Sequence, residues 1–271
     1  MWPMGLTLAW SAGLVAVLAY ACAAWPLASR ARWPEAALAL GWLAHALTLA
    51  LDILGIGALV PGARFGFAPA LSATVWIALA VHTVESRLLP LPAVRRVLAL
   101  AGAAVVLLAA AFPGESRPHA GSPWLPLHWL LGVVSYGLLS VAVMHAWLLD
   151  MAERRLRSHS GLPAASVPGA HGTLPLMQLE RLTFRFVEVG FVVLTTALLL
   201  GGLMAAGHWE PHKTVFSLLG WATFAMLLAG RHWRGWRGRQ ATRWVYSGAV
   251  LLLLAYIGSR FVLEVILHRG A

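Results

Sequence analysis

Long runs of uninterrupted apolar residues decide what this chain can fold into. A helix rises about 1.5 Å per residue, so a hydrocarbon core of about 30 Å takes about 20 residues to cross. Eight stretches approach that length, at 6–25, 36–57, 69–83, 97–112, 125–149, 186–206, 214–229 and 244–267, the third and seventh being short. They are rich in Ala and Leu and lack the period-two alternation of barrel strands, so each predicts a helix. Of the 271 residues 60% are hydrophobic and 11% charged, against roughly 25% charged in a soluble domain. A water-soluble globule is excluded. The expected fold is all-α, a polytopic transmembrane helix bundle of about eight spans forming one integral membrane domain over residues 1–271, with the lipid bilayer as its first partner.

Basic residues are retained on the cytoplasmic side of a membrane, and here they crowd into alternate connections. One set holds Arg30 and Arg32, then Arg87, Arg95 and Arg96, then Arg154, Arg155, Arg157, Arg181 and Arg185, then Arg231, Arg234, Arg237, Arg239 and Arg243. The other set holds only Arg64, Arg117, Lys213 and Arg269. Both termini are therefore expected outside the cytoplasm, in a multi-pass protein of a bacterial-type inner (cytoplasmic) membrane. No basic residue precedes the first run, so it reads as a retained helix rather than a cleaved signal peptide. Residues 158–175, where Ser, Gly, Pro and Ala replace the apolar pattern, read as a mobile cytoplasmic linker.

Several function classes fall away. The formal charge is +10, but the basic residues are spread through short connections and form no concentrated face for nucleic acid. Cys22 is the only cysteine, which removes internal disulfides, thiol redox pairs and cysteine metal sites. Phosphate loops, nucleophile elbows and paired catalytic carboxylates are missing from the connections, so no classical turnover chemistry is expected. His208 and His212 are four apart, but Pro211 between them disfavours the helix that a two-histidine zinc site would need. No inverted repeat of interrupted spans points to a transporter.

Ionisable residues at depth carry the information that remains, because each must find a partner or line a wet cavity. His45 lies near the middle of the second span, and His128 and His212 lie near the outer ends of the fifth and seventh. Each imidazole can be a hydrogen-bonding bundle residue. His128 and His212 can also supply the two axial nitrogens of a haem, with Trp124, Trp129 and Trp209 beside them as porphyrin walls or as part of an interfacial aromatic belt. Arg260, about 10 Å inside the last span, needs an anion. Glu264, four residues on, and Asp52 are carboxylates at suitable depth, and a haem propionate is the alternative.

Four segments, His128-Trp-Leu-Leu-Gly-Val-Val-Ser135-Tyr136, Trp209-Glu-Pro-His212-Lys213-Thr214, Gly235-Trp236-Arg237-Gly238 and Tyr256-Ile-Gly-Ser-Arg260-Phe, give the chain its resemblance to a known family. It is similar to the CcsA/CcmC-type cytochrome c assembly membrane proteins and, within them, to the YpjD-like (HemX-like) branch, over residues 36–268. The resemblance implies haem b as cofactor, with His128 as an external ligand, His212 as the second ligand and His45 as a branch feature on the cofactor side. It implies apocytochrome c or other cytochrome c assembly proteins as partners. Haem-handling members carry a tryptophan-rich external segment ending in Trp-Asp-Pro-Lys-Glu-Thr, of which Trp209-Glu-Pro-His-Lys-Thr remains here. Two functions are thus expected in competition. One is haem binding or handling near the outer leaflet by His128, His212, Arg260, Trp124 and Trp209; the other is a non-haem regulatory or assembly partner on the same scaffold.

Overall fold

The computed structural model describes residues 4–25, 33–56, 63–87, 92–117, 124–158, 176–204 and 211–267. Eight helices follow one another: α1 (Met4–Ala23), α2 (Trp33–Leu54), α3 (Phe67–Glu85), α4 (Pro92–Ala111), α5 (Trp124–Ser158), α6 (Leu176–Met204), α7 (Pro211–Arg234) and α8 (Gly238–Leu253). The last is prolonged by a π-helical turn (Leu254–Gly258), a short α9 (Ser259–Phe261) and a second π-helical turn (Val262–Ile266). Seven of these stretches are long and apolar enough to cross a membrane, and α1 adds a shorter apolar helix. The expected linker, apart from Ser158 at the end of α5, lies outside the described residues.

Helix lengths differ from the apolar runs for a simple reason. A run of hydrophobic residues marks what hydrocarbon can cover, whereas a helix continues for as long as its residues favour it. Beyond Leu149, α5 goes on through Asp150-Met-Ala-Glu153-Arg154, all compatible with helix, and α6 begins ten residues before Phe186 for the same reason. Between the spans, β1 (Ala63–Phe65) and β2 (Glu115–Arg117) pair antiparallel, with Phe65 opposite Glu115 and Ala63 opposite Arg117. This small ribbon joins the α2–α3 and α4–α5 connections.

The chain divides into two compact units, Met1–Val133 with Tyr256–Ala271, and Val134–Ala255. In a bilayer the hydrophobic effect does not drive helices together, so close packing of small residues has to. Within the first unit α1 buries Ala12, Ala16, Ala19 and Ala23, one small stripe on one helical face. The fully buried ring of Tyr20 lies between two glycines: a Cβ on Gly41 would meet it at 2.7 Å and one on Gly102 at 2.9 Å. Within the second unit α7 and α8 interdigitate large against small. A Cβ on Gly248 would stand 2.7 Å from the ring of Phe224, and one on Gly220 would stand 2.7 Å from Leu252. Both pairs obey a single antiparallel register. Asp150 ties α5 to α8 by accepting hydrogen bonds from the hydroxyls of Thr242 and Tyr246, each at 3.0 Å, while Glu180 of α6 accepts from Arg231 of α7 at 3.3 Å.

Substituting Gly248 by Ala is expected to destabilise the protein by about 1–3 kcal/mol, because the Phe224 ring is fully buried and has nowhere to move. Unfolding in mixed micelles measures this, and Phe224→Leu in the same chain should recover part of the loss. An unchanged unfolding curve for Gly248→Ala would contradict the packing.

Candidate functional site

The first unit holds four of the sequence-predicted residues, His45, Trp124, His128 and Arg260. The first of them centres a hydrogen-bonded tie. His45 of α2 is completely buried, with Nδ1 3.2 Å from the hydroxyl of Tyr20 on α1 and Nε2 2.7 Å from the hydroxyl of Ser72 on α3. Both ring nitrogens are thus engaged, and three helices are held by one imidazole. As arranged, His45 presents no nitrogen to an iron, and its geometry is that of a bundle histidine. Beside it the indoles of Trp42 and Trp76 stack at 4.7 Å with planes 8° apart. Each donates its N–H to the backbone carbonyl of the other residue, at 3.1 and 3.0 Å. These contacts fix α2 against α3.

Above the tie, the last helix packs onto the start of α3. Phe67 meets Phe112 at 5.4 Å and Phe261 edge-on at 5.3 Å, and it clusters with Ala68, Ala109 and Ile257. Gly66, which precedes α3, has room for no side chain. A Cβ there would fall 2.9 and 3.0 Å from the two carboxylate oxygens of Glu264 and 2.8 Å from the Cα of Gly114. Gly114 itself has φ +76°, a conformation open to glycine. Glu264 therefore rests against the N-terminus of α3, where a helix dipole favours negative charge. Asp52, at the end of α2, lies within electrostatic reach of Arg64.

Arg260 is buried, with 7% of its surface exposed, and occupies the short α9 between the two π-helical turns. The Leu267 amide bonds to the Val262 carbonyl at 2.9 Å, five residues back, so the helix is underwound there. Such π turns are frequent at functional sites. Arg260 and Glu264 both have partners, and the guanidinium carries five N–H donors, more than one carboxylate uses.

His128 is half-buried in the second turn of α5, in the same unit, and Trp124 stands four residues before it with 57% of its surface exposed. Four residues on a helix is one face, so the exposed indole lies a turn above the imidazole. His212 is the second residue of α7, in the other unit, and its side chain lies outside the described residues, as do Trp209 and His268. His82 and His145 are buried, the latter with its ring 5.3 Å from Phe186, and His232 is exposed. Among the described residues no three His, Cys, Asp or Glu side chains gather as a metal cluster.

Nothing in the sequence joins Tyr20 and Ser72 to His45, although both are polar residues inside otherwise apolar runs. The contact of Glu264 with Gly66 was equally hidden, since nothing in the spacing links that glycine to a carboxylate near the far end of the chain. Replacing Tyr20 by Phe leaves the ring in place and strips Nδ1 of its partner. The expected loss is about 1–3 kcal/mol by micellar unfolding. Gly66→Ala is expected to displace Glu264 and destabilise the protein as well, and wild-type stability in either variant would contradict these contacts.

The family described as Cytochrome C assembly protein matches residues 38–267. The chain is 32% identical over 163 residues to the inner membrane protein YpjD of Escherichia coli (strain K12), covering 59% of this chain and 60% of that protein. It is 32% identical over 165 residues to the cytochrome c biogenesis protein CcsA of Parasynechococcus marenigrum, covering 52% and 53%, and 30% identical over 167 residues to CcsA of Prochlorococcus marinus, covering 54% and 52%. The chain thus spans a little over half the length of these curated relatives. No solved structure matches it. With a match over most of its length and a multi-pass helical architecture, the chain belongs to the cytochrome c assembly family of membrane proteins.

Proposed function

We propose that this protein binds and handles haem at the ribbon end of its first unit. The observation that carries the reading is membership of a cytochrome c assembly family with His128, Trp124 and Arg260 all placed in that unit. The donor set suits the group. A neutral imidazole is a good axial ligand, an exposed indole one turn away on the same helix face can cover a porphyrin, and a planar guanidinium matches a propionate. Bound there, haem supplies the iron porphyrin that a c-type cytochrome carries. The chain's own residues would do the rest: in the first unit His128 holds the metal, Arg260 anchors a propionate and Trp124 keeps water from a ring face, while His212 and Trp209 are the second ligand and wall that the family resemblance implies. His45 would act from beneath, keeping α1, α2 and α3 in register through Tyr20 and Ser72.

The ribbon end faces out of the cytoplasm in this reading, with both termini on that side, in a bacterial-type inner membrane. The arginine-rich connections at the other end support this orientation. A phosphatase that matures only outside the cytoplasm, fused after Ala271, should be active, and an inactive fusion would reverse the assignment. The cofactor is proposed as haem b, held without covalent attachment because Cys22 sits in α1 and no cysteine lies near His128. Apocytochrome c or another cytochrome c assembly protein would receive it. The brief Trp209-Glu-Pro-His segment favours a second reading, an assembly partner of other membrane proteins without haem chemistry.

Absorption spectra separate the two readings. Detergent-purified protein from haem-sufficient cells is expected to show a Soret band that sharpens on reduction and is lost or strongly reduced in His128→Ala and His212→Ala. Arg260→Gln should weaken haem retention by about tenfold, the scale of one lost charge-assisted hydrogen bond. A featureless wild-type spectrum, even after haem addition, would refute haem handling and leave the assembly-partner reading.

A further inference from the structure

At the opposite end of the first unit one buried charge is left without a counterpart among the described residues. Arg95 lies in the first turn of α4 with 9% of its surface exposed, on the same face as buried Ala99, Gly102 and Val106. That face packs against α1 and α3: a Cβ on Gly102 would meet Tyr20 at 2.9 Å and Leu79 at 3.0 Å. The Nε and Nη2 atoms of Arg95 are buried and have no hydrogen-bond partner among the described residues. Those two nitrogens form one edge of the guanidinium, the fork that donates side-on to two oxygens of a carboxylate or phosphate.

Desolvating such an edge without an acceptor costs several kcal/mol, so its position calls for a ligand. Two further features describe that ligand. First, Arg95 sits in the opening turn of a helix that begins with Pro92, where unsatisfied backbone N–H groups and the helix dipole favour an anion. Second, α4 has 20 residues, about 30 Å, and so just spans a hydrocarbon core. Its first turn then lies at the level of lipid phosphates. Val84 at the end of α3 and Val97 on α4 are exposed at this level (65% and 56%) and give acyl chains a surface. On the adjoining ends of α3 and α4, Arg87 is exposed and Arg96 and Glu85 are half-buried, so with Arg95 three cations stand against one carboxylate. An excess of positive charge selects a lipid with net negative charge over a zwitterionic one.

We infer that Arg95 and the N-terminus of α4 form a built-in binding site for the phosphodiester of an anionic phospholipid. The Arg95 side chain swings from the packed face towards the headgroups so that the lipid phosphate takes the Nε–Nη2 edge, and the lipid chains run down the outside of α3 and α4. The site is independent of haem and lies at the other end of the unit. It makes a specific lipid part of the folded protein, with a role beyond the general one that arginines have in setting topology.

The test is lipid retention by the full-length protein, purified from membranes of mixed phosphatidylglycerol and phosphatidylcholine, washed in detergent and read by mass spectrometry. Wild type is expected to retain phosphatidylglycerol over phosphatidylcholine. Arg95→Gln and Arg95→Lys should each retain about tenfold less, the lysine because it keeps the charge without the planar fork. Arg87→Gln, which removes an exposed charge at the same level, should retain as much as wild type. Arg95→Lys carries the comparison if Arg95→Gln does not fold. Equal retention by wild type and the Arg95 variants, an equal loss in Arg87→Gln, or no preference for the anionic lipid would overturn the inference. Release of the lipid by soluble glycerol phosphate would overturn it too, by showing a site for free oxyanions.

Discussion

Hydrocarbon offers no hydrogen-bond partner, so every polar group carried into the bilayer must be satisfied by the protein itself. The rest of this structure follows from that constraint. Threonine hydroxyls turn back onto the carbonyl four residues earlier, as Thr48 does to Ala44, Thr74 to Ala70, Thr183 to Leu179 and Thr195 to Phe191. Trp42 and Trp76 exchange N–H donors for carbonyls across a helix pair. Trp221 spends its N–H on Thr195 at 2.9 Å. His45 uses both nitrogens. These contacts are structural because they close on themselves.

Against that background two buried cations stand out. Arg260 lies in a helix whose winding changes around it, at the end where a ribbon of two short strands and two glycines brings the backbone close to Glu264. Arg95, at the other end, has an edge with no hydrogen-bond partner among the described residues. A bundle held together by small residues and internal polar ties can place such cations with little freedom. Placement is what recognition of a propionate or a phosphate needs.

Much of the fold was legible because an apolar run of membrane length, without alternation, admits little besides a spanning helix. All eight runs are helices, including the short third and seventh, which became α3 with 19 residues and α7 with 24. The runs underestimated α5 and α6, because helix propensity persists past the point where hydrophobicity ends. The β ribbon was not legible: three-residue strands in two separate connections leave no periodicity to read. For the site, the sequence singled out His45, His128 and Arg260 by the expense of polarity at depth, but depth gives no neighbours. Tyr20 and Ser72 became partners of His45 only once α1 and α3 were placed beside α2. The π turns around Arg260 arise where the last helix packs against Phe67 and Gly66, and they have no local sequence signal. The motifs shared with cytochrome c assembly proteins carried the family assignment.

The central claim is that His128 is an axial ligand to haem in this protein. Resonance Raman spectra of the haem-loaded wild type and of His128→Ala, each with and without added imidazole, test it most directly. The account predicts a six-coordinate low-spin haem in the wild type, loss of that signature in His128→Ala, and its return when imidazole enters the space left by the side chain. A low-spin signature that survives in His128→Ala without imidazole would contradict it and place the ligand elsewhere in the chain.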